Sequence, residues 1–144
     1  MDIDCMFLTP EQPAMIEDYL KRYPNDLLTC YTNRVSHLAS PQIYGGQPSD
    51  NPNILDHIKI AQERLKFPTA DIITRGEISG YLMAFHKSIW DDNKFDEGIG
   101  CLAVDTYWSR RVIKQGHRIV RMNGIYVWHT YRLWKDIRDK SHLK

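Results

Sequence analysis

The stretch Leu27-Leu28-Thr29-Cys30-Tyr31-Thr32 decides the fold class of this chain. It is apolar and partly β-branched, and polar residues bound it on both sides, which is typical of a buried strand. Upstream, apolar side chains repeat at helical spacing as far as Arg22, after a helix-start signal at Thr9-Pro10. Residues 2–8 alternate in the manner of a strand. The order strand, helix, strand predicts an α/β domain.

Outward from this stretch, the chain continues to alternate helices and strands. After a loop rich in Gly and Pro, the pattern predicts a helix from Ile54 to Leu65 and strands over 71–74 and 78–85. It then predicts one helical turn at 87–90 and a helix that begins at Val104, with Gly116 at its C-terminal cap. The last predicted strands cover 117–122 and 125–128. We expect the last two strands to form a hairpin, because Asn123-Gly124 is a strong turn signal. The tail from Tyr131 is expected to be a charged helix or arm. We expect a single domain over residues 1–144, with a mixed sheet and flanking helices.

Composition excludes several classes of protein. The chain has 144 residues, with 19 Lys plus Arg against 18 Asp plus Glu, and it is 42% hydrophobic, which describes one globular domain. A net charge of +1 lacks the single-sign field of a nucleic-acid binder, so no nucleic-acid partner is expected. No apolar run approaches the roughly 18 residues of a spanning helix, so we expect no transmembrane segment and a cytoplasmic location. The three cysteines form no Cys-x-x-Cys pair and are expected to be buried, reduced thiols.

Two carboxylates, Asp2 and Asp4, lie at one end of the first predicted strand. Side chains two residues apart in a strand point to the same side, so the pair suits one hard cation. Carboxylate oxygens favour Mg²⁺ or Mn²⁺, and such a cation commonly keeps open positions for substrate phosphates. Two solvated acids without a ligand are the alternative interpretation.

A histidine and an arginine near the other end of the chain offer complementary chemistry. His129 follows an apolar strand and precedes Arg132 by three residues. A neutral imidazole can complete a mixed oxygen and nitrogen site, which suits Mn²⁺ better than Ca²⁺. The guanidinium of Arg132 presents a planar fork to a phosphate group. A packed histidine and a surface ion pair are the respective alternatives.

Motifs with chemical groups follow one another in a definite order. They are Asp2-Ile3-Asp4, Ile78-Ser79-Gly80, Phe95-Asp96-Glu97, Asp105 at the head of a helix with Ser109-Arg110-Arg111, and a closing Tyr126-x-x-His129. In this order the chain resembles the family 2 glycosyltransferases of the GT-A fold over essentially its whole length. The resemblance implies transfer of a sugar from a nucleotide-sugar donor to a carbohydrate or other hydroxyl acceptor, with inversion at the anomeric carbon.

The resemblance also implies a role for each acidic residue. Asp4 is the implied direct ligand of a divalent cation on the donor diphosphate, Asp2 reaches the ribose or a metal-bound water, and His129 is a distant third contributor. Asp105 is the implied catalytic base that takes the proton of the acceptor hydroxyl. Its alternative role is that of a helix N-cap, and Val104 stands where the family often has Glu.

Two further residues are implied to contact the substrates. Gly80 resembles the family's small residue beneath the sugar and the acceptor, where a side chain would obstruct the approach. Its alternative is a strand irregularity. Trp90, in a predicted loop, is the aromatic residue that we expect to stack on a sugar, whereas the other tryptophans are expected in the core.

The resemblance begins at the Asp-x-Asp motif, which in the family follows a nucleotide-binding half. We therefore expect residues 1–144 to correspond to the acceptor-side half of such a domain, either within a longer enzyme or as a detached remnant. A remnant would expose a sheet edge, which a second copy or a partner chain is expected to cover. Two function classes stay open, namely a glycosyltransferase and a noncatalytic binding or interaction module.

Overall fold

The chain folds as an α/β protein, as the sequence predicts. A computed structural model describes residues 1–37, 39–74, 78–96, 98 and 103–131. In chain order the elements are β1 (Cys5–Phe7), α1 (Gln12–Arg22), β2 (Leu27–Thr32), a short 3₁₀ turn (Tyr44–Gly46), α2 (Ile54–Arg64), β3 (Ala70–Ile73), α3 (Lys87–Asp92), α4 (Val104–Lys114) and β4 (Ile119–His129).

In the described part of the chain, four strands form one mixed sheet, with β4 in contact with each of the others. β2 lies parallel to β4 and starts with Leu27 opposite Ile119. On the other side of β4, β3 runs antiparallel to its first half, and β1 runs antiparallel to its last residues, with Cys5 opposite His129. The long strand β4 therefore brings the beginning of the chain next to residues more than 120 positions away in sequence.

The predicted hairpin at residues 117–128 is wrong, because β4 runs through Asn123-Gly124 without a turn. A type I′ turn needs positive φ at both central residues, and neither of these residues has it. Gly124 instead allows a close approach of α1, since a Cβ there would lie 2.7 Å from the sulfur of Met15. Its N–H donates to the hydroxyl oxygen of Tyr19 at 3.1 Å. The pairing of β2 with β4 shifts register at this point, between Cys30 and Tyr31.

Two predicted strands also differ from the observed ones. The first begins only at Cys5, and Asp2 and Asp4 lie ahead of it in a turn closed by a hydrogen bond from the N–H of Cys5 to the carbonyl of Asp2. The run 78–85 forms no strand, and its one described ladder contact is a single bridge from Ala84 to β2. Within that run, the backbone of Ser79 pairs with the side-chain amide of a buried glutamine rather than with a strand.

The helices agree with the sequence prediction. α1 ends at Arg22 and α2 starts at Ile54, and Gly116 follows α4 with φ of +95°, as expected of a glycine cap. α4 begins at Val104, but its N-cap is Ala103 in the left-handed conformation. The longest helices of the described residues have 11 residues each, too few to cross a bilayer. The predicted arm beyond Tyr131 lies outside the described residues.

Candidate functional site

The end of β4 and the turn before β1 form a cluster of potential metal ligands. A carboxylate oxygen of Asp4, the sulfur of Cys5 and a ring nitrogen of His129 all lie within 4.8 Å of one another. The β-ladder places Cys5 directly opposite His129. The N–H of Thr130 donates to the carbonyl of Asp4 at 2.9 Å, which ties the turn to the end of β4. Two residues that the sequence analysis proposed as ligands, Asp4 and His129, are therefore neighbours.

The ring of His129 is held in one orientation by the residues that follow β2. Its side chain is buried, and Nδ1 lies 2.9 Å from the carbonyl oxygen of Arg34. Because a carbonyl can only accept, Nδ1 carries the proton and Nε2 presents its lone pair. The side chain of Arg34 is itself buried, and its guanidinium pairs with Asp50. The backbone N–H of His129 donates to the side-chain oxygen of Asn33 at 2.8 Å.

The other nitrogen of the ring lacks a hydrogen-bond partner. Nε2 of His129 lies 3.3 Å from Oδ2 of Asp4, but the alignment of the two groups does not meet hydrogen-bond geometry. Burial lowers the pKa of His129, against the opposing charges of Asp4 and Asp2. A neutral imidazole thus directs a lone pair toward a carboxylate. The lone pair of Nε2 and the carboxylate oxygen repel each other, whereas a cation between them would be attracted by both. The arrangement therefore fits a cation.

Asp2 lies beside this cluster rather than within it. Desolvation of its carboxylate raises the pKa of Asp2, and the negative charges of Asp4 and Asp105 act in the same direction. Burial also raises the pKa of the Cys5 thiol, with further contributions from Asp4 and Asp2. Desolvation is thus the larger cause of both shifts, and mutual repulsion of the acidic groups adds to it.

Asp105 is fixed against Gly80. Its Oδ2 accepts a hydrogen bond from the N–H of Gly80 at 2.6 Å, and its Oδ1 accepts one from the N–H of Thr106 at 2.8 Å. A Cβ at position 80 would lie 2.7 Å from the Cβ of Asp105, closer than side chains approach. The missing side chain of Gly80 therefore makes room for Asp105, a use that the sequence analysis did not predict. Because Ala103 is the N-cap of α4, the alternative role of Asp105 as N-cap is wrong.

Residues 80 and 81 connect Asp105 to the ligand cluster. The carbonyl of Tyr81 accepts the N–H of Asp2 at 2.8 Å, and the ring of Tyr81 stacks on His129 with centroids 5.4 Å apart. Gly80, which binds Asp105, is the preceding residue. Asp105 and the Asp4–His129 pair are therefore linked through two adjacent residues, Gly80 and Tyr81.

The remaining site predictions have different outcomes. The helical turn predicted over residues 87–90 is confirmed as α3, which contains Trp90, so the expectation that this tryptophan lies in a loop is wrong. Its ring packs on Phe95 at 4.9 Å and beneath the ammonium of Lys94. The contacts that the structure describes for this ring are with Phe95, with Lys94 and with a part of the core that includes Trp108, and not with the ligand cluster. Arg132 lies outside the described residues.

Cys5 and Tyr81 are members of the site that sequence reasoning missed. Cys5 belongs to the same alternating stretch as Asp2 and Asp4, but neighbouring residues of a strand point to opposite faces, so the pattern separated it from them. The observed turn before β1 removes that separation. No sequence signal distinguished Tyr81 from an ordinary apolar residue.

Comparison of the chain with protein-family models, with curated proteins and with solved structures finds no match.

Proposed function

We propose that this protein acts in metal-dependent transfer of a sugar from a nucleotide-sugar donor to a hydroxyl acceptor, as the acceptor-side half of a GT-A type glycosyltransferase domain. The observation that carries the proposal is that two adjacent residues link the groups: Gly80 binds Asp105, and Tyr81 stacks on His129, which lies beside Asp4. These groups come from the two ends of the chain and from one internal helix, and the implied roles require them to meet.

Asp4 and His129 are the proposed holders of the cation, Mn²⁺ or Mg²⁺. The unpartnered Nε2 of His129 beside a carboxylate oxygen fits a divalent ion. A bound divalent ion supplies Lewis-acid stabilisation to the negative charge of the departing diphosphate. The second acid, Asp2, lies close enough to interact with Asp4, His129 and Asp105, in keeping with its proposed contact to the donor.

Asp105 is the proposed base. Each of its carboxylate oxygens accepts one backbone N–H and keeps a second lone pair for the acceptor. The acceptor hydroxyl gives its proton to Asp105 as its oxygen forms the new bond to the anomeric carbon. The bond from that carbon to the diphosphate breaks on the opposite face, and the product is inverted. The two N–H donors hold the carboxylate in place before the acceptor arrives.

The test is the rate of nucleoside diphosphate release from a panel of nucleotide sugars with Mn²⁺ and hydroxyl acceptors. The chain is assayed alone and with a nucleotide-binding half added in trans. We expect Asp105→Asn to lower turnover about 10²-fold or more, because an amide cannot accept the proton. Its melting temperature should fall only slightly, since one of the two N–H donors keeps an acceptor oxygen. Asp18→Asn, an exposed acid of α1, is the matched control and should keep the wild-type rate.

Two outcomes would contradict the proposal in different ways. Equal turnover of the wild type and Asp105→Asn would remove Asp105 from the reaction. No transfer by the wild type in either format, with Mn²⁺ bound, would favour the second function class, a noncatalytic binding module that keeps the metal site.

A further inference from the structure

The thiol of Cys5 has no role in the proposed reaction, although it lies inside the ligand cluster. Its sulfur is within 4.8 Å of the Asp4 carboxylate oxygen and of the His129 ring nitrogen. The side chain is half-buried, and the β-ladder holds it opposite His129. Cys30, the other cysteine among the described residues, is fully buried beside Tyr81 and is not part of the cluster.

The three donors differ from the set that Mn²⁺ or Mg²⁺ prefers. Those ions favour oxygen ligands, whereas a set of one sulfur, one nitrogen and one oxygen favours a softer ion. Zn²⁺ is held at its open sites by three protein ligands of these types and keeps a further position for water or substrate. For a given set of nitrogen, oxygen and sulfur ligands, the affinity for Zn²⁺ is also generally higher than the affinity for Mn²⁺.

We infer that Cys5 is a third protein ligand of the site and that Asp4, Cys5 and His129 together hold Zn²⁺ in preference to Mn²⁺. The thiol gives its proton to water when the ion binds, and the resulting thiolate forms the bond to the metal. Because it concerns the metal site, the inference rests on the proposed function. It keeps the proposed metal site but assigns it Zn²⁺ in place of Mn²⁺ or Mg²⁺ and adds a third ligand.

The test uses Co²⁺ as a spectroscopic probe for Zn²⁺, because a thiolate bound to Co²⁺ gives charge-transfer absorption in the near ultraviolet and oxygen or nitrogen ligands do not. Wild type, Cys5→Ser and the control Cys30→Ala are titrated with Co²⁺, and Zn²⁺ and Mn²⁺ affinities are measured by calorimetry. We expect the absorption in wild type and in Cys30→Ala and its loss in Cys5→Ser. The Zn²⁺ affinity of Cys5→Ser should fall about tenfold or more, and its Mn²⁺ affinity should change by less than about threefold.

The outcomes separate this inference from the proposed function. If wild type binds Co²⁺ and Mn²⁺ without thiolate absorption, the role of Cys5 is overturned and the proposed metal site stands. If wild type binds neither ion, both fall. The wild-type spectrum decides the question even where Cys5→Ser does not fold. Persistence of the absorption in a folded Cys5→Ser would also overturn the assignment.

Discussion

Two buried histidines of this protein, His57 in α2 and His129 at the end of β4, differ in how their ring nitrogens are used. Both are nearly inaccessible, at 1% and 4% exposure. His57 pairs through both nitrogens, with Nδ1 2.7 Å from the hydroxyl of Tyr126 and Nε2 2.8 Å from the carbonyl of Asn51. His129 pairs only through Nδ1, and its Nε2 faces a carboxylate.

This difference in hydrogen bonding indicates a structural role for His57 and a binding role for His129. A buried polar atom without a partner costs free energy, so proteins pair nearly all of them. His57 meets that rule, and its ring also stacks on those of Tyr126 and Trp128. His129 departs from the rule at the one nitrogen that faces Asp4. We therefore expect His57 to contribute to stability alone, and His129 to contribute to ion binding.

The largest expected effect is on metal affinity. His129→Gln should weaken Mn²⁺ binding about 10²-fold or more, because it removes a ligand with a free lone pair in a fixed orientation. His57→Gln should leave the affinity within about threefold of wild type, since both nitrogens of His57 are already engaged. Calorimetric titration of Mn²⁺ into each folded variant measures both values. Equal losses in the two variants would abolish the distinction between the histidines.

The next effect is on stability and falls on His57. His57→Ala should lower the free energy of unfolding by about 2 kcal/mol, because the hydroxyl of Tyr126 and the carbonyl of Asn51 lose their partner in a buried place. Urea unfolding followed by circular dichroism gives this value. In the absence of metal, His129→Ala should cost less, since it breaks one hydrogen bond from the ring and also removes the unpaired nitrogen. A larger loss in His129→Ala would show that the ring of His129 is mainly structural.

The sequence predicted the helices better than it predicted the strands. The helices are local, since their apolar spacing and caps lie within one stretch of chain, as at Gly116. The errors at residues 78–85 and 117–128 came from contacts that no local pattern contains, whereas the missed turn ahead of β1 is local. Asn123-Gly124 resembles a turn, but its glycine is needed where Met15 and Tyr19 of α1 approach β4.

The site was predictable in its residue types and not in its geometry. The acid pair and the histidine were proposed from their chemistry, and the antiparallel pairing of β1 with β4 places Asp4 beside His129. That pairing joins residues from opposite ends of the chain, so no spacing rule could have measured the distance. The same pairing adds Cys5 directly, whereas Asp4 joins the cluster from the turn ahead of β1.

The smallest expected effect is on the pH dependence of stability, and it concerns the ionisation of His129. Burial lowers the pKa of His129 from its ordinary value of 6.5, although Asp4 and Asp2 oppose the shift. Between the two pKa values the unfolded chain binds a proton that the folded chain does not, so stability declines as the pH falls from 6.5 to the folded-state pKa. Below the folded-state pKa this contribution declines no further.

The variant His129→Gln removes that contribution. The carboxylates stay in place, and the pKa of Asp2 also responds to the loss of the imidazole. The pKa of Asp2 is raised, so its contribution has the opposite sign and increases stability as the pH falls through that raised value. Urea unfolding of metal-free wild type and His129→Gln at about pH 7.5 and about pH 5.5 should show a larger acid-induced loss in the wild type. His57→Gln, measured in parallel, corrects for the removal of a buried imidazole as such. Identical pH dependence of wild type and His129→Gln would mean that the imidazole titrates alike in the folded and unfolded chains, and the neutral lone pair assigned to Nε2 would then lose its electrostatic support.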